Sequence, residues 1–228
     1  MIANKREFYM GASMLITFTA VLAFMFSPIY HGENALSFLD NMFNSISKGS
    51  AYYIPEVKAK SDQFIGKSVT LAIKTDNAAQ NETISKILNL ANARIETSGE
   101  ALTITADLGE LLDACLKDSD LMYNNDGDAI QQKYAINERV IMFNWYQLLK
   151  KMEKSFTKEK QFKEAKLVAT VNSKAVETAY NYYKVKAKSI KASAVMLIFS
   201  LVFYVIYTMW YGFGILYMFE GIGMQIEH

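Results

Sequence analysis

The sequence predicts an α+β membrane protein: two terminal transmembrane helices flank a mostly helical domain, which carries a small β-α-β-α segment and a long helical hairpin leading into the second span. Three observations predict this. Residues 192–219 read ASAVMLIFSLVFYVIYTMWYGFGILYMF, without a charged side chain. Residues 8–30 form a second uncharged run, FYMGASMLITFTAVLAFMFSPIY. Between them, strand-like alternation at 68–74 and 101–106 is interleaved with apolar stripes of helical spacing.

The chain opens on a short cationic tail, residues 1–7. Residues 8–30 are longer than the apolar core of a signal peptide, and FMFSPIYHG lacks a small-residue cleavage site, so an uncleaved anchor helix is expected. Pro28 in its last turn marks the exit from the membrane. Residues 31–60 read as a membrane-proximal amphipathic helix and an extended linker. Ala35, Leu36, Leu39, Met42, Phe43 and Ile46 step along one face, and Gly49 suits the helix stop. SAYYIP is expected to be extended because Pro55 biases its predecessor away from helix. Tyr52 and Tyr53 are expected to pack on the amphipathic helix.

A small α/β segment follows at 61–128. SVTLAIK and ALTITA read as strands. Ile84, Ile87, Leu88, Ala91 and Ile95 mark one helix, and Leu108, Leu111, Leu112, Cys115 and Leu116 mark a second helix capped by Asp107. A strand, crossover helix and strand normally pair in parallel. Two strands make a marginal sheet, so a third is expected, with 58–65 as the candidate, or else completion by another chain.

Residues 129–191 read as a helical hairpin stalk. Residues 129–157 form its first arm. The second arm starts at Phe162 and runs without a break into the span at 192–219, about 58 residues or roughly 87 Å at 1.5 Å per residue. Ala165, Ala169, Asn172, Val176, Ala179, Tyr183, Lys186 and Ile190 alternate steps of four and three, a heptad-type seam for a partner helix. The expected partner is the 129–157 arm, with pairing between chains as the alternative. In the second span, Gly212 and Gly214 suggest a close helix contact or a bend. Residues 220–228 form a short C-terminal tail.

Charge and motifs exclude more chemistry than they suggest. The formal net charge is +1, so nothing draws the chain to nucleic acid. Cys115 is the single cysteine, which rules out an intrachain disulfide and a multi-cysteine zinc site, and it reads as a small core residue. His31 and His228 lie on opposite membrane faces in a two-pass chain and cannot converge. NNDGD tempts a calcium reading, but with Gly127 sixth in the loop the first and twelfth positions are Met122 and Lys133, which do not ligate calcium. The Asp118/Asp120 and Asp126/Asp128 pairs read as surface charge. No nucleotide-binding or haem-attachment motif is present. No catalytic residue, metal ligand or cofactor is expected.

Orientation signals conflict. Lys5 and Arg6 argue for a cytoplasmic N-terminus, while Lys184, Lys186, Lys188 and Lys191 precede the second span. The first helix usually sets orientation, so both termini are expected in the cytoplasm of a two-pass cell-membrane protein, with the domain extracytoplasmic. The expected role is a non-catalytic structural or accessory subunit of a membrane complex. Its partners would be the lipid bilayer and other membrane-protein subunits or further copies of itself. A ligand-sensing or substrate-binding module acting through a membrane partner is the alternative. The layout of two terminal spans around an extracytoplasmic α/β domain also resembles that of polysaccharide chain-length regulators.

Overall fold

The computed structural model describes residues 2–28, 32–99 and 101–224. The chain divides into two compact units, Met1–Gly49 with Lys186–His228, and Ser50–Val185.

The first unit holds the two apolar helices. Helix α1 spans Lys5–Met25, and Asn4 caps it by accepting hydrogen bonds from the Arg6 and Glu7 amides. It starts three residues before the uncharged run and stops before Pro28, which lies past the helix. Helix α2 spans Ala35–Ser50, so Gly49 sits inside it rather than ending it. The last long helix, α10, spans Ile190–Gly221. Helices α1 and α10 pack antiparallel: Phe8 lies by Gly221 and Gly11 by Gly214, and Phe18 stacks on Tyr207 with ring centroids 4.2 Å apart. Both helices are long and apolar enough to cross a membrane.

The second unit is an α+β domain. Its first helix, α3 (Ile54–Ser61), places Pro55 in the first turn, where a missing N–H costs nothing. The expected extended linker is therefore confined to residues 51–53. Residues 58–65, the candidate third strand, continue this helix into a short 3-10 turn. Tyr52 and Tyr53 both make contacts within the domain. Tyr52 leans on Tyr123 and donates to Asp120 at 2.6 Å, and Lys174 sits over the Tyr53 ring.

Strands β1 (Ser68–Lys74), β2 (Arg94–Ser98) and β3 (Ala101–Asp107) form an antiparallel sheet in the order β1-β3-β2. The third strand is thus supplied by the chain itself, at a place the residue pattern obscures. Helix α4 (Ala78–Leu90) stops at Leu90, and Asn92 takes a left-handed φ of +57°, which reverses the chain. Ile95, read as the end of the helical stripe, instead faces Ile104 across β2 and β3. The expected parallel pairing is split. β1 and β2 do run parallel, but β3 lies between them, antiparallel to both. Val69, Leu71, Ile73, Leu102, Ile104 and Ala106 point inward from the sheet.

Helix α5 (Leu108–Tyr123) is capped by Asp107, as its sequence predicts. The expected arm at 129–157 is two helices, α6 (Gly127–Tyr134) and α7 (Glu138–Lys158), because Ala135 adopts a left-handed φ of +50°. The second arm is also broken. Helix α8 (Phe162–Val171) runs into a π-helical segment (Asn172–Glu177) and a last turn, α9 (Thr178–Asn181). Residues 182–189 are not helical, and Lys184 has φ +67°. The continuous rod expected from Phe162 into the second span therefore does not form. The domain core gathers Trp145, Phe156, Tyr134 and the inward faces of β1 and β3, all nearly or fully buried.

Candidate functional site

Six of the eight seam residues of the second arm lie inside the domain, whereas Lys186 and Ile190 are exposed and belong to the other unit. Ala165, Asn172, Val176, Ala179 and Tyr183 are buried, and Ala169 is half-buried. Helix α8 packs along α7. The Asn172 side-chain amide donates to the Tyr146 carbonyl at 3.4 Å, and the Tyr183 hydroxyl donates to Glu138 at 3.1 Å. The π-helical turn at 172–177 inserts extra backbone into the repeat and so shifts the face that follows it. Gly127 lets Tyr183 close over the start of α6, since a Cβ there would collide with the Tyr183 hydroxyl. Asn125 completes this end. It accepts from the Lys184 amide at 2.7 Å and donates to the Val185 carbonyl at 3.0 Å, tying residues 60 positions apart.

The two glycines singled out in α10 separate. A Cβ on Gly214 would stand 2.9 Å from Leu15 Cδ2, whereas one on Gly212 would meet nothing within 4 Å. The close approach also uses two glycines that the residue pattern did not single out. A Cβ on Gly11 would stand 2.6 Å from the Met218 amide nitrogen and 2.8 Å from the Gly214 carbonyl oxygen. One on Gly221 would stand 2.5 Å from the Phe8 Cα. The amides of Ala3 and Asn4 donate to the Gly221 carbonyl at 2.9 and 3.0 Å, which closes the helix pair at that end.

Asp118 is the main surprise of the domain. It is fully buried, not surface charge. Its Oδ1 accepts from Lys133 Nζ at 2.7 Å, and its Oδ2 accepts from the Tyr134 hydroxyl at 2.5 Å and Trp145 Nε1 at 2.9 Å. A buried carboxylate is tolerated only when paired and hydrogen-bonded, and this one is both. Burial, with the Asp118 charge beside it, pushes the Tyr134 hydroxyl far above its ordinary pKa. Burial likewise raises the Cys115 thiol well above its ordinary value, so this cysteine is a core residue held as the thiol. With its oxygens committed to three donors, Asp118 is arranged as an anchor joining α5, α6 and α7, not as a base. One signal marked it: Leu111, Cys115, Asp118 and Met122 continue the helical stripe in steps of four, three and four. Asp126 and Asp128 are exposed, and Asp120 is half-buried against Tyr52. That bond to Asp120 pushes the Tyr52 hydroxyl up to about 12.

Other ion pairs staple the domain surface. Lys67 pairs with the buried Glu164, and Lys151 donates to Asp76 and to the Lys74 carbonyl, both at 2.7 Å. A cleft of about 260 Å3 opens beside the π-helical turn, with Phe143, Tyr146 and Tyr180 in its wall and Glu177 beside them. Lys150 lies over Tyr146 and Arg139 over Tyr180. Among the described residues, no group of three or more His, Cys, Asp or Glu side chains is placed to hold a metal ion. His31 and His228 lie outside the described residues.

No family model, curated protein or solved structure matches the chain.

Proposed function

We propose that this protein is a two-pass, non-catalytic subunit of a membrane complex, anchored by the α1/α10 pair and presenting the 50–185 domain outside the cytoplasm. One observation carries the reading. Both apolar helices are long enough to span, yet only 6% and 11% of their apolar windows are buried. A core helix of a water-soluble protein hides such a surface, whereas a bilayer or a partner helix solvates it. Val195, Ile198, Val202 and Val205 all stand exposed along α10. The domain supports a structural role, because the fully buried Asp118 carboxylate is saturated by donors and its single thiol is sealed. The extracytoplasmic placement rests on Lys5 and Arg6, the cationic residues in the first turn of α1, ahead of its uncharged run.

Purification in mild detergent from cells expressing the chain at its native level tests the role. The expected particle contains a stoichiometric second polypeptide or several copies of this one. A monodisperse particle holding one 25.8 kDa chain would remove the subunit reading. Placement is tested by Gln132→Cys, an exposed position in α6, since Cys115 is buried and gives no background. A membrane-impermeant maleimide labels this variant in intact cells if the domain is outside, and only after lysis if it is inside.

A ligand-sensing role is favoured by one feature, the aromatic cleft beside the π-helical turn. Single-turn π-helices recur at functional sites. Tyr146→Ala and Tyr180→Ala would abolish a ligand response while leaving assembly intact. If they change neither, that second reading falls.

A further inference from the structure

A cavity of about 270 Å3 lies within the hairpin unit, walled by Phe24 and Met25 of α1, Phe38 and Leu39 of α2, and Phe199 and Phe203 of α10. Among the described residues of its wall, the one polar side chain, Ser200, donates its hydroxyl to the Leu197 carbonyl at 2.9 Å. The described wall side chains therefore offer a water no free donor, and a water needs two to four partners to stay. Helix α2 is pinned at its other half. The Lys188 amide donates to the Ser45 carbonyl at 3.0 Å, and Gly49 approaches so closely that a Cβ there would stand 2.9 Å from the Lys188 carbonyl oxygen. With that half fixed at backbone level, the helix is not free to collapse into the gap beside Phe38 and Leu39.

Three properties define the occupant. It is apolar, because the wall is. It enters from the side facing hydrocarbon, because Phe24 and Phe199 line the cavity and are also 58% and 61% exposed. It lies near the headgroup boundary, because α2 turns Ser37, Asp40 and Asn41 outward, as an interfacial amphipathic helix does. We propose that this cavity holds one acyl chain of a membrane phospholipid, bound in place between α1, α2 and α10 rather than exchanging with the surrounding lipid. The proposal rests on the two-pass reading above. The bound chain supplies the packing that the three helices do not give each other, and so fixes α2 against the spans.

The test uses the full chain reconstituted in phosphatidylcholine nanodiscs containing a small fraction of phosphatidylcholine with a diazirine in mid-chain. After photolysis, peptide mass spectrometry compares Phe24, Phe38 and Phe199 with the outward-facing Val195, Val202 and Val205. The expected result is several-fold heavier labelling of the cavity set. Filling the cavity with Ser200→Trp, or from the opposite wall with Leu39→Trp, removes that excess and leaves the outward labelling unchanged. Equal labelling of the two sets in disc-incorporated protein overturns the lipid site and leaves the two-pass reading standing. A chain that elutes apart from the discs overturns both.

Discussion

The α1/α10 pair and the 50–185 domain both pack helices, but by opposite means. In the pair, close contact is made at backbone level by Gly11, Gly214 and Gly221, with Tyr207 stacked on Phe18, while Val195, Ile198, Val202 and Val205 of α10 point away. In the domain, large side chains such as Trp145 and Phe156 point inward, and charged residues cover the outside. The contrast is the one that the proposed placement of the pair in lipid and the domain in water would produce. In water, burying apolar side chains drives packing. In lipid that drive is absent, and close backbone approach, van der Waals contact and hydrogen bonds take over. The same contrast sets where polar groups are tolerated. The domain buries a whole carboxylate by surrounding it with donors, whereas the stretch of α10 from 192 to 219 carries no charge at all.

This comparison breaks most sharply at Asp118. Asp118→Ala leaves Lys133, the Tyr134 hydroxyl and the Trp145 indole N–H without their partner, and the expected loss is about 3–5 kcal/mol, the range for breaking a buried pair. Urea denaturation followed by Trp145 fluorescence measures it, with Trp210→Phe as the background. A loss below about 0.5 kcal/mol, the level of an ordinary surface change, would mean that the carboxylate is not an anchor.

Glycine substitutions test the other half. Gly11→Leu drives a side chain into the Met218 and Gly214 backbone, and a cost of about 1–3 kcal/mol is expected from overpacking. Gly212→Leu points into open space and is expected to stay within about 0.5 kcal/mol of the parent. An SDS titration of detergent-solubilised protein ranks the two. Equal effects would show that glycine identity, not contact, governs the pair.

The two long apolar helices and the strands β1 and β3 were legible in the sequence because each depends on one local pattern. An uncharged run needs no partner to be recognised, and SVTLAIK alternates in β-branched and apolar residues that only a half-buried strand satisfies. What stayed hidden depends on single residues whose backbone or burial is set by distant groups. RIETS looks like the tail of a helix until Asn92 turns the chain. Two continuous arms were expected where Ala135 and Lys184 adopt left-handed conformations, for which non-glycine residues give no warning. Asp118 looked like surface charge because the donors that allow its burial lie 15–27 positions away. Gly214 was readable as a contact, but its partner Gly11 was not, because a span's facing side is decided by the other helix.

Two smaller effects sharpen the picture of the domain. Asn125→Ala removes both bonds to residues 184 and 185, at an expected cost of about 1 kcal/mol per bond. Faster hydrogen exchange at the Lys184 amide reports it, and unchanged exchange would contradict the tie. The smallest effect concerns pH. The Lys67 ammonium holds the Glu164 carboxyl below its ordinary value of 4.5. A depressed carboxyl pKa stabilises the fold above the unfolded-state value, and that contribution is lost as pH falls through the lower, folded-state value. The urea midpoint is therefore expected to fall on acidification below 4.5, and to fall less in Glu164→Gln. Parallel pH curves for the two proteins would show that this pair contributes nothing.

Alkaline carbonate extraction of cell membranes is the most direct test of the difference between the two units. The full chain is expected to remain in the lipid pellet, while a chain reduced to residues 50–185 is expected to appear folded in the supernatant. Release of the full chain by carbonate would contradict the account, because the exposed apolar faces of α1 and α10 would then need a cover other than the bilayer.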